Sequence, residues 1–211
     1  MNIFYVHKDP VTSAKMLIDK HVVKMIIESA QMLSTAHRML DGVKYTDRTK
    51  SNRRIQRWRM SGNLETTLYK ACHTGHPSTV WVMENIFHYN WLYTHMMSLN
   101  DEFKLRYGHT KDHMTIQKLK DILKYPPKNI PINMIATDPT PAMPDECKIP
   151  GDVVGSYRKY YIEKKQSFAS WKSPAKPPKW WTKVVKEKKE YHDLDEQVKE
   201  VRKMQKEIYG Q

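Results

Sequence analysis

The chain reads as mainly α, a single helical domain built around two long packed helices, with a long proline-rich loop and a C-terminal helical extension. Three observations carry that expectation. Apolar residues recur at three- and four-residue spacing across residues 10–41 and again across 78–107, the signature of helices with buried faces. Helix punctuation brackets the first stretch, with Asp9-Pro10 as cap and first-turn proline and Asp41-Gly42 as stop. The 211 residues, 39% hydrophobic and 28% charged, suffice for one substantial core under a very polar surface.

Taken in order, residues 1–7 form a short apolar run, a strand or an ordered arm that should be tied down. On the first long helix Ile18, Val22, Met25, Ile26, Ser29, Leu33, Ala36 and Leu40 share one broad face, which is predicted core. Residues 64–70 look helical, and Gly75-His76-Pro77 ends that pattern. The second long helix, 78–107, places Val80, Trp81, Met83, Ile86, Phe87, Trp91, Leu92, Met96, Leu99 and Phe103 at core spacing. A shorter helix is predicted over 115–123. The stretch from Tyr125 to Pro150 holds repeated prolines and no periodicity, so it is a loop; loops this long serve as binding edges or wrap a core. Gly151-Asp152 opens another helix. Residues 172–181 form a basic connector rich in proline and tryptophan, followed by a Lys- and Glu-dense helix to residue 211. The division expected is a helical core domain, 1–171, and a connector with C-terminal helix, 172–211.

Thirty-six Lys and Arg against 23 Asp and Glu give a formal charge of +13, which favours a polyanionic partner, and nucleic acid is the commonest. The excess concentrates in residues 44–59, where Lys44, Arg48, Lys50, Arg53, Arg54, Arg57 and Arg59 face one acid, Asp47, and enclose Trp58. Arg53, Arg54 and Arg57 are candidate phosphate contacts and Trp58 a candidate stacking platform; the plainer reading is a solvated connector. Cys72 and Cys147 lack metal-like spacing, and the sequence shows neither a leader pattern nor a membrane-spanning run. A cytoplasmic protein is expected. Glycine-rich phosphate loops, dinucleotide fingerprints and the zinc deaminase motif are absent. The histidine pairs 73/76 and 88/95 lack the flanking carboxylates of metal sites, so neither metal nor cofactor is expected.

The residues that stand out lie inside the first helix. His21, Lys24, Glu28, Gln31 and Thr35 make a polar stripe through an otherwise apolar segment beginning at Asp19. A carboxylate set there must be paired, hydrogen-bonded or held protonated, and the last state suits acid–base work. An ordinary Lys24–Glu28 ion pair on a wet face produces the same pattern.

Asp19-x-His21 followed by Glu28 resembles, in residue type and spacing, the N-terminal motif of the pyrimidine-dimer DNA glycosylases with apurinic lyase activity. Gly75-His76 before the aromatic helix and Ser170-Trp171-Lys172 are similar to that family's later segments. The chain also resembles uncharacterised proteins of cyanobacterial phages. The family resemblance implies an all-helical fold, a partner of double-stranded DNA, and an α-amine attacking the sugar C1′ beside a glutamate. Carried over, the glutamate is Glu28 and the amine that of Met1. Free α-amines have a reference pKa of roughly 7.7 to 8.0, so more of such an amine is neutral near pH 7 than of a lysine. Glu28 would stabilise positive charge on the sugar and move protons, while His21 would orient Glu28 or a phosphate. Asp19, Gln31, His76 and an aromatic, Trp58 or Trp81, would meet the substrate. This sequence departs from the pattern at Ile27 and Gln31, where the family carries arginines, and Asn2 disfavours removal of Met1. Lys24, if desolvated, is the alternative amine. A non-catalytic nucleic-acid-binding protein, or a base-modifying enzyme on a related fold, would leave the same traces.

Overall fold

The computed structural model describes the backbone of residues 1–132 and 135–209; the loop residues Asn133 and Met134 lie outside the described residues. The protein is mainly helical, as expected, with one two-stranded sheet among the described residues. Its contacts divide it into two compact units, Met1–Lys176 and Pro177–Gln211. The second contains one helix, α8, Lys179–Tyr209.

Within the first unit, α2 (Asp19–Asp41) packs on α5 (Ile86–Tyr107). Val22, Met25, Ile26, Leu33 and Ala36 of α2 and Leu92, Met96 and Leu99 of α5 are buried between the elements of this core. Each large apolar side chain removed from water contributes about 1.5–3 kcal/mol, so this face is the main source of stability. Helix α6 (Met114–Leu123) adds Ile116, Leu119 and Leu123.

Each expected long helix is interrupted once. The first divides into α1 (Pro10–Met16) and α2, because the backbone at Leu17 and Ile18 is extended. Side chains distant in sequence accept this break. Arg106 donates to the carbonyls of Lys15 and Leu17 at 2.8 and 2.7 Å, and the Trp171 indole donates to Met16 at 3.2 Å. The second divides into α4 (Pro77–Glu84) and α5 at Asn85, whose side-chain oxygen accepts from the His88 amide at 3.0 Å and caps α5. The helical pattern at 64–70 shortens to α3, Leu64–Thr67.

The arginine-rich stretch forms an antiparallel hairpin, β1 (Val43–Arg48) and β2 (Arg54–Arg59), with Tyr45 opposite Arg57 and Lys44 opposite Trp58. Buried Arg38 of α2 anchors it, donating to the carbonyls of Trp58, Glu65, Leu68 and Tyr69 and to the Glu65 carboxylate. At Gly42, where α2 hands over to β1, a side chain would collide with the Arg38 carbonyl.

The described residues between Tyr125 and Pro150 form the expected loop, apart from one turn of 3-10 helix at Asp145–Cys147. Its amides at Lys128 and Asn129 donate to Asp41 at 2.8 and 3.0 Å, and its Thr137 carbonyl accepts from the Trp81 indole at 2.9 Å. Helix α7 (Val153–Lys164) follows, its first turn capped by Asp152.

Candidate active site

The N-terminal arm, residues 1–7, is ordered without being a strand. Phe4 takes a left-handed backbone (φ 51°), a conformation costing a non-glycine residue of the order of 1–3 kcal/mol. Several contacts hold it there. The Phe4 amide donates to Asn2 Oδ1 at 2.9 Å, Asn2 Nδ2 donates to the Ala142 carbonyl at 2.7 Å, and Arg158 donates to the Val6 carbonyl at 3.0 Å. The Phe4 ring stacks on His21 with centroids 4.0 Å apart.

This arm delivers the N-terminus to α2. The Asn2 amide donates to Glu28 Oε2 at 2.9 Å, and the Met1 α-amine lies 3.9 Å from the same oxygen. The other carboxylate oxygen faces Lys24 Nζ at 3.4 Å. The Met1 side chain is 2% exposed, and its sulfur accepts from Thr79 Oγ1 at 3.8 Å. The amine therefore belongs to a residue fixed at both ends.

The segment before α4 closes the site. Thr35, on the Glu28 stripe, accepts from the Cys72 amide at 3.2 Å and draws that segment against α2. His73 has a left-handed backbone (φ 49°) and His76 caps α4 by accepting from the Ser78 amide at 3.2 Å. Burial, then the charges of the Met1 ammonium and His73, hold the His76 imidazole below its ordinary range, while Glu28 acts in the opposite sense. His76 is thus within electrostatic reach of both Met1 and Glu28. Burial raises the Cys72 thiol, with the Met1 ammonium opposing. Cys72 and His73 also form one wall of an open cleft of about 410 Å³, whose other wall includes Arg57 and Trp58. The cleft thus connects the arginine hairpin with the segment before α4.

Of the residues expected at the site, Met1, Lys24, Glu28 and His76 come together, and Arg57 and Trp58 lie on the adjoining cleft. Gln31 is half-buried on the same stripe, and Arg53 and Arg54 are exposed at the hairpin. Three others are placed elsewhere. Asp19, whose side chain is 5% exposed, accepts from Arg106 at 3.3 Å and from the Lys172 amide at 3.0 Å, in a buried ion network with Glu102. His21 shares a hydrogen bond of 2.6 Å with the Tyr161 hydroxyl and has none to Glu28 among the described residues. Burial, then the charges of Lys165 and Lys24, push its imidazole down to about 3. Trp81 is 3% exposed, stacked on His88, with its indole N–H occupied by the loop.

Sequence reasoning missed the tightest partner of Glu28, the Asn2 amide, because a backbone donor leaves no side-chain signal. It also missed Thr79 as the contact of Met1, although a threonine in the turn following Gly75-His76 was visible. Among the described residues no group of three or more His, Cys, Asp or Glu side chains is placed to hold a metal ion, and no helix is long and apolar enough to cross a membrane.

Chemically, a carboxylate that is 14% exposed, hydrogen-bonded on one oxygen and next to an amine can stabilise a cationic centre and exchange a proton. The model of the pyrimidine dimer DNA glycosylase family matches residues 1–115, which contain the arm, Glu28, the hairpin and His76. No curated protein and no solved structure matches the chain. With more than half of its 211 residues covered, the chain belongs to the pyrimidine dimer DNA glycosylase family, and its general function is DNA repair of that type.

Proposed function

We propose that the chain acts on double-stranded DNA as a glycosylase and abasic-site lyase, with the Met1 α-amine as nucleophile and Glu28 as its acid–base partner. One observation carries the reading: the amine and the carboxylate lie 3.9 Å apart in a seat fixed on both sides, reached through an arm whose backbone is bent to deliver it. In the glycosylase step the bond between C1′ and the base breaks, its electron pair leaves with the base, and the neutral amine forms a bond to C1′. Glu28 stabilises the positive charge that develops at C1′ and O4′. As the sugar ring opens, O4′ takes a proton and the amine becomes an iminium. In the lyase step a 2′ proton is removed and the C3′–O bond breaks, its electron pair leaving with the phosphate; Glu28 is placed to carry these protons.

Lys24 is the less suited amine. Its side chain is 67% exposed, so it lacks the desolvation that makes a lysine a competent nucleophile. Its place beside Glu28 suits a role in charge balance. The hairpin supplies cations for the phosphates, and a cytoplasmic location, in a host cell if the protein is phage-encoded, accords with two free cysteines.

Borohydride reduction on duplex DNA carrying an abasic site tests the mechanism. The expected product is a covalent adduct mapping to the N-terminal peptide. Glu28→Gln should lower strand cleavage by roughly 10²–10⁴-fold. An adduct on Lys24 would move the nucleophile, and no adduct with wild-type protein, together with unchanged cleavage in Glu28→Gln, would overturn the proposal.

A further inference from the structure

Beneath the N-terminal arm lies an aromatic cluster whose outer side carries cations with no role in the chemistry above. Lys20 Nζ sits 5.0 Å from the centre of the Phe168 ring. Lys165 Nζ sits 5.8 Å from that ring and 4.6 Å from Tyr160. Lys20 is exposed and Lys165 half-buried, and neither has a carboxylate within 4.0 Å among the described residues. One turn further along α2, the exposed Lys24 reaches Glu28. The three ammonium groups gather on one rim, since Lys24 and Lys165 both act electrically on the His21 ring and Lys20 shares Phe168 with Lys165. Like charges so arranged repel one another, and among the described residues no carboxylate pairs with Lys20 or Lys165 to offset this.

The position of this rim on α2 gives it meaning. At 1.5 Å per residue, Lys20 lies about 12 Å along the helix axis from Glu28 in one direction, and Arg38, the anchor of the hairpin, about 15 Å in the other. Glu28 therefore lies on α2 between the lysine rim and the buried residue that anchors the arginine hairpin. The axial distance from Lys20 to that anchor, roughly 27 Å, is the length of about eight base pairs at 3.4 Å each.

We propose that Lys20, Lys24 and Lys165 bind backbone phosphates of the DNA on the side of the reacting nucleotide away from the arginine hairpin, so that the substrate is gripped on both flanks. The rim fits phosphodiester better than a single small anion. Its charges are spread over two elements, α2 and the end of α7, and those of Lys20 and Lys165 lie over aromatic rings. The proposal rests on the DNA-acting reading of the Glu28 site and adds the track along which the strand lies.

The test is the salt dependence of binding to a duplex containing a non-cleavable abasic analogue, which reports phosphate neutralisation independently of chemistry. Lys20→Gln/Lys165→Gln should lower the slope of log K against log salt by about 0.9 for each phosphate left without its lysine, or about 1.8 for the pair. Lys118→Gln/Lys124→Gln on and beside α6 removes the same charge elsewhere and should change the slope by less than half as much. An unchanged slope in the first variant, or an equal fall in the second, overturns the proposal. Failure of wild-type protein to form the borohydride adduct would instead count against the nucleophile, with the slopes unaffected.

Discussion

Asp19 and Glu28 are carboxylates nine residues apart on one helix, and the fold treats them differently. Asp19 faces the guanidinium of Arg106, which also binds Glu102 and the two carbonyls freed by the α1/α2 break. Its environment is closed and its work is structural. Glu28 receives one backbone amide at 2.9 Å, an amine at 3.9 Å and a solvent-exposed lysine at 3.4 Å. A carboxylate offers about four lone-pair positions and both residues keep some unused, Asp19 at its unpartnered Oδ2, but Asp19 is shut away from solvent whereas the Glu28 side chain is 14% exposed and can offer them to a substrate. The difference teaches that a charged residue on a buried helix is not a site by virtue of burial; whether a substrate can reach what its partners leave free decides.

The largest effect that would sharpen this contrast comes from Arg106→Met. Removing the guanidinium strands two buried carboxylates, and unfolding by urea should show a loss of about 3–5 kcal/mol. Glu28→Gln should change stability by no more than about 1 kcal/mol; a loss as large as that of Arg106→Met would mean that both carboxylates are structural.

A smaller effect belongs to His21, two residues from Asp19 and part of the packed end of α2. With its folded pKa pushed down to about 3 from an ordinary 6.5, the unfolded chain binds a proton between those values that the folded chain does not. Stability should therefore be full above pH 6.5 and fall with acidification, by about 1.4 kcal/mol per pH unit for this one group. Urea midpoints at about pH 5 and pH 7 should differ less in His21→Gln than in wild type. The fully buried His95, held at about 4, leaves a residual slope of the same sign in both proteins.

The smallest effect on stability is expected at the hairpin. Replacing exposed Arg53 and Arg54 together with Arg57 by Ala should change folding by about 0.5 kcal/mol or less each. The slope of DNA binding against salt should fall by about 0.9 for each phosphate that these arginines neutralise. An unchanged slope would assign them to solubility.

Much of the scaffold was legible because its signals are local. The apolar spacing of α2 and α5, the cap at Asp9 and the prolines of residues 124–150 each state their own structure. The breaks were not legible, because a helix interrupted at Leu17 needs Arg106 and Trp171 to receive its carbonyls, and nothing near residue 17 reports them. The hairpin was obscured by its own charge: Val43, Tyr45, Ile55 and Trp58 are strand formers, but the arginines between them read as a polyanion-binding segment rather than as a strand with a polar face. At the site, Glu28 and His76 stood out by residue type. Asp19, His21 and Trp81 did too, and only tertiary packing distinguishes them, since hydrogen bonds to Arg106, Tyr161 and the Thr137 carbonyl occupy the groups that would have met a substrate.

The arm that delivers Met1 has a consequence for the order in which a ribosome makes this protein. Residues 1–7 leave the exit tunnel long before two of the groups that hold them, since the carbonyl that holds Asn2 belongs to Ala142 and the guanidinium that holds Val6 belongs to Arg158. Three-quarters of the chain must be synthesised before both of these contacts can form. Until then the arm lacks two of the contacts that fix its course past α2, so its full set of restraints is completed late in synthesis.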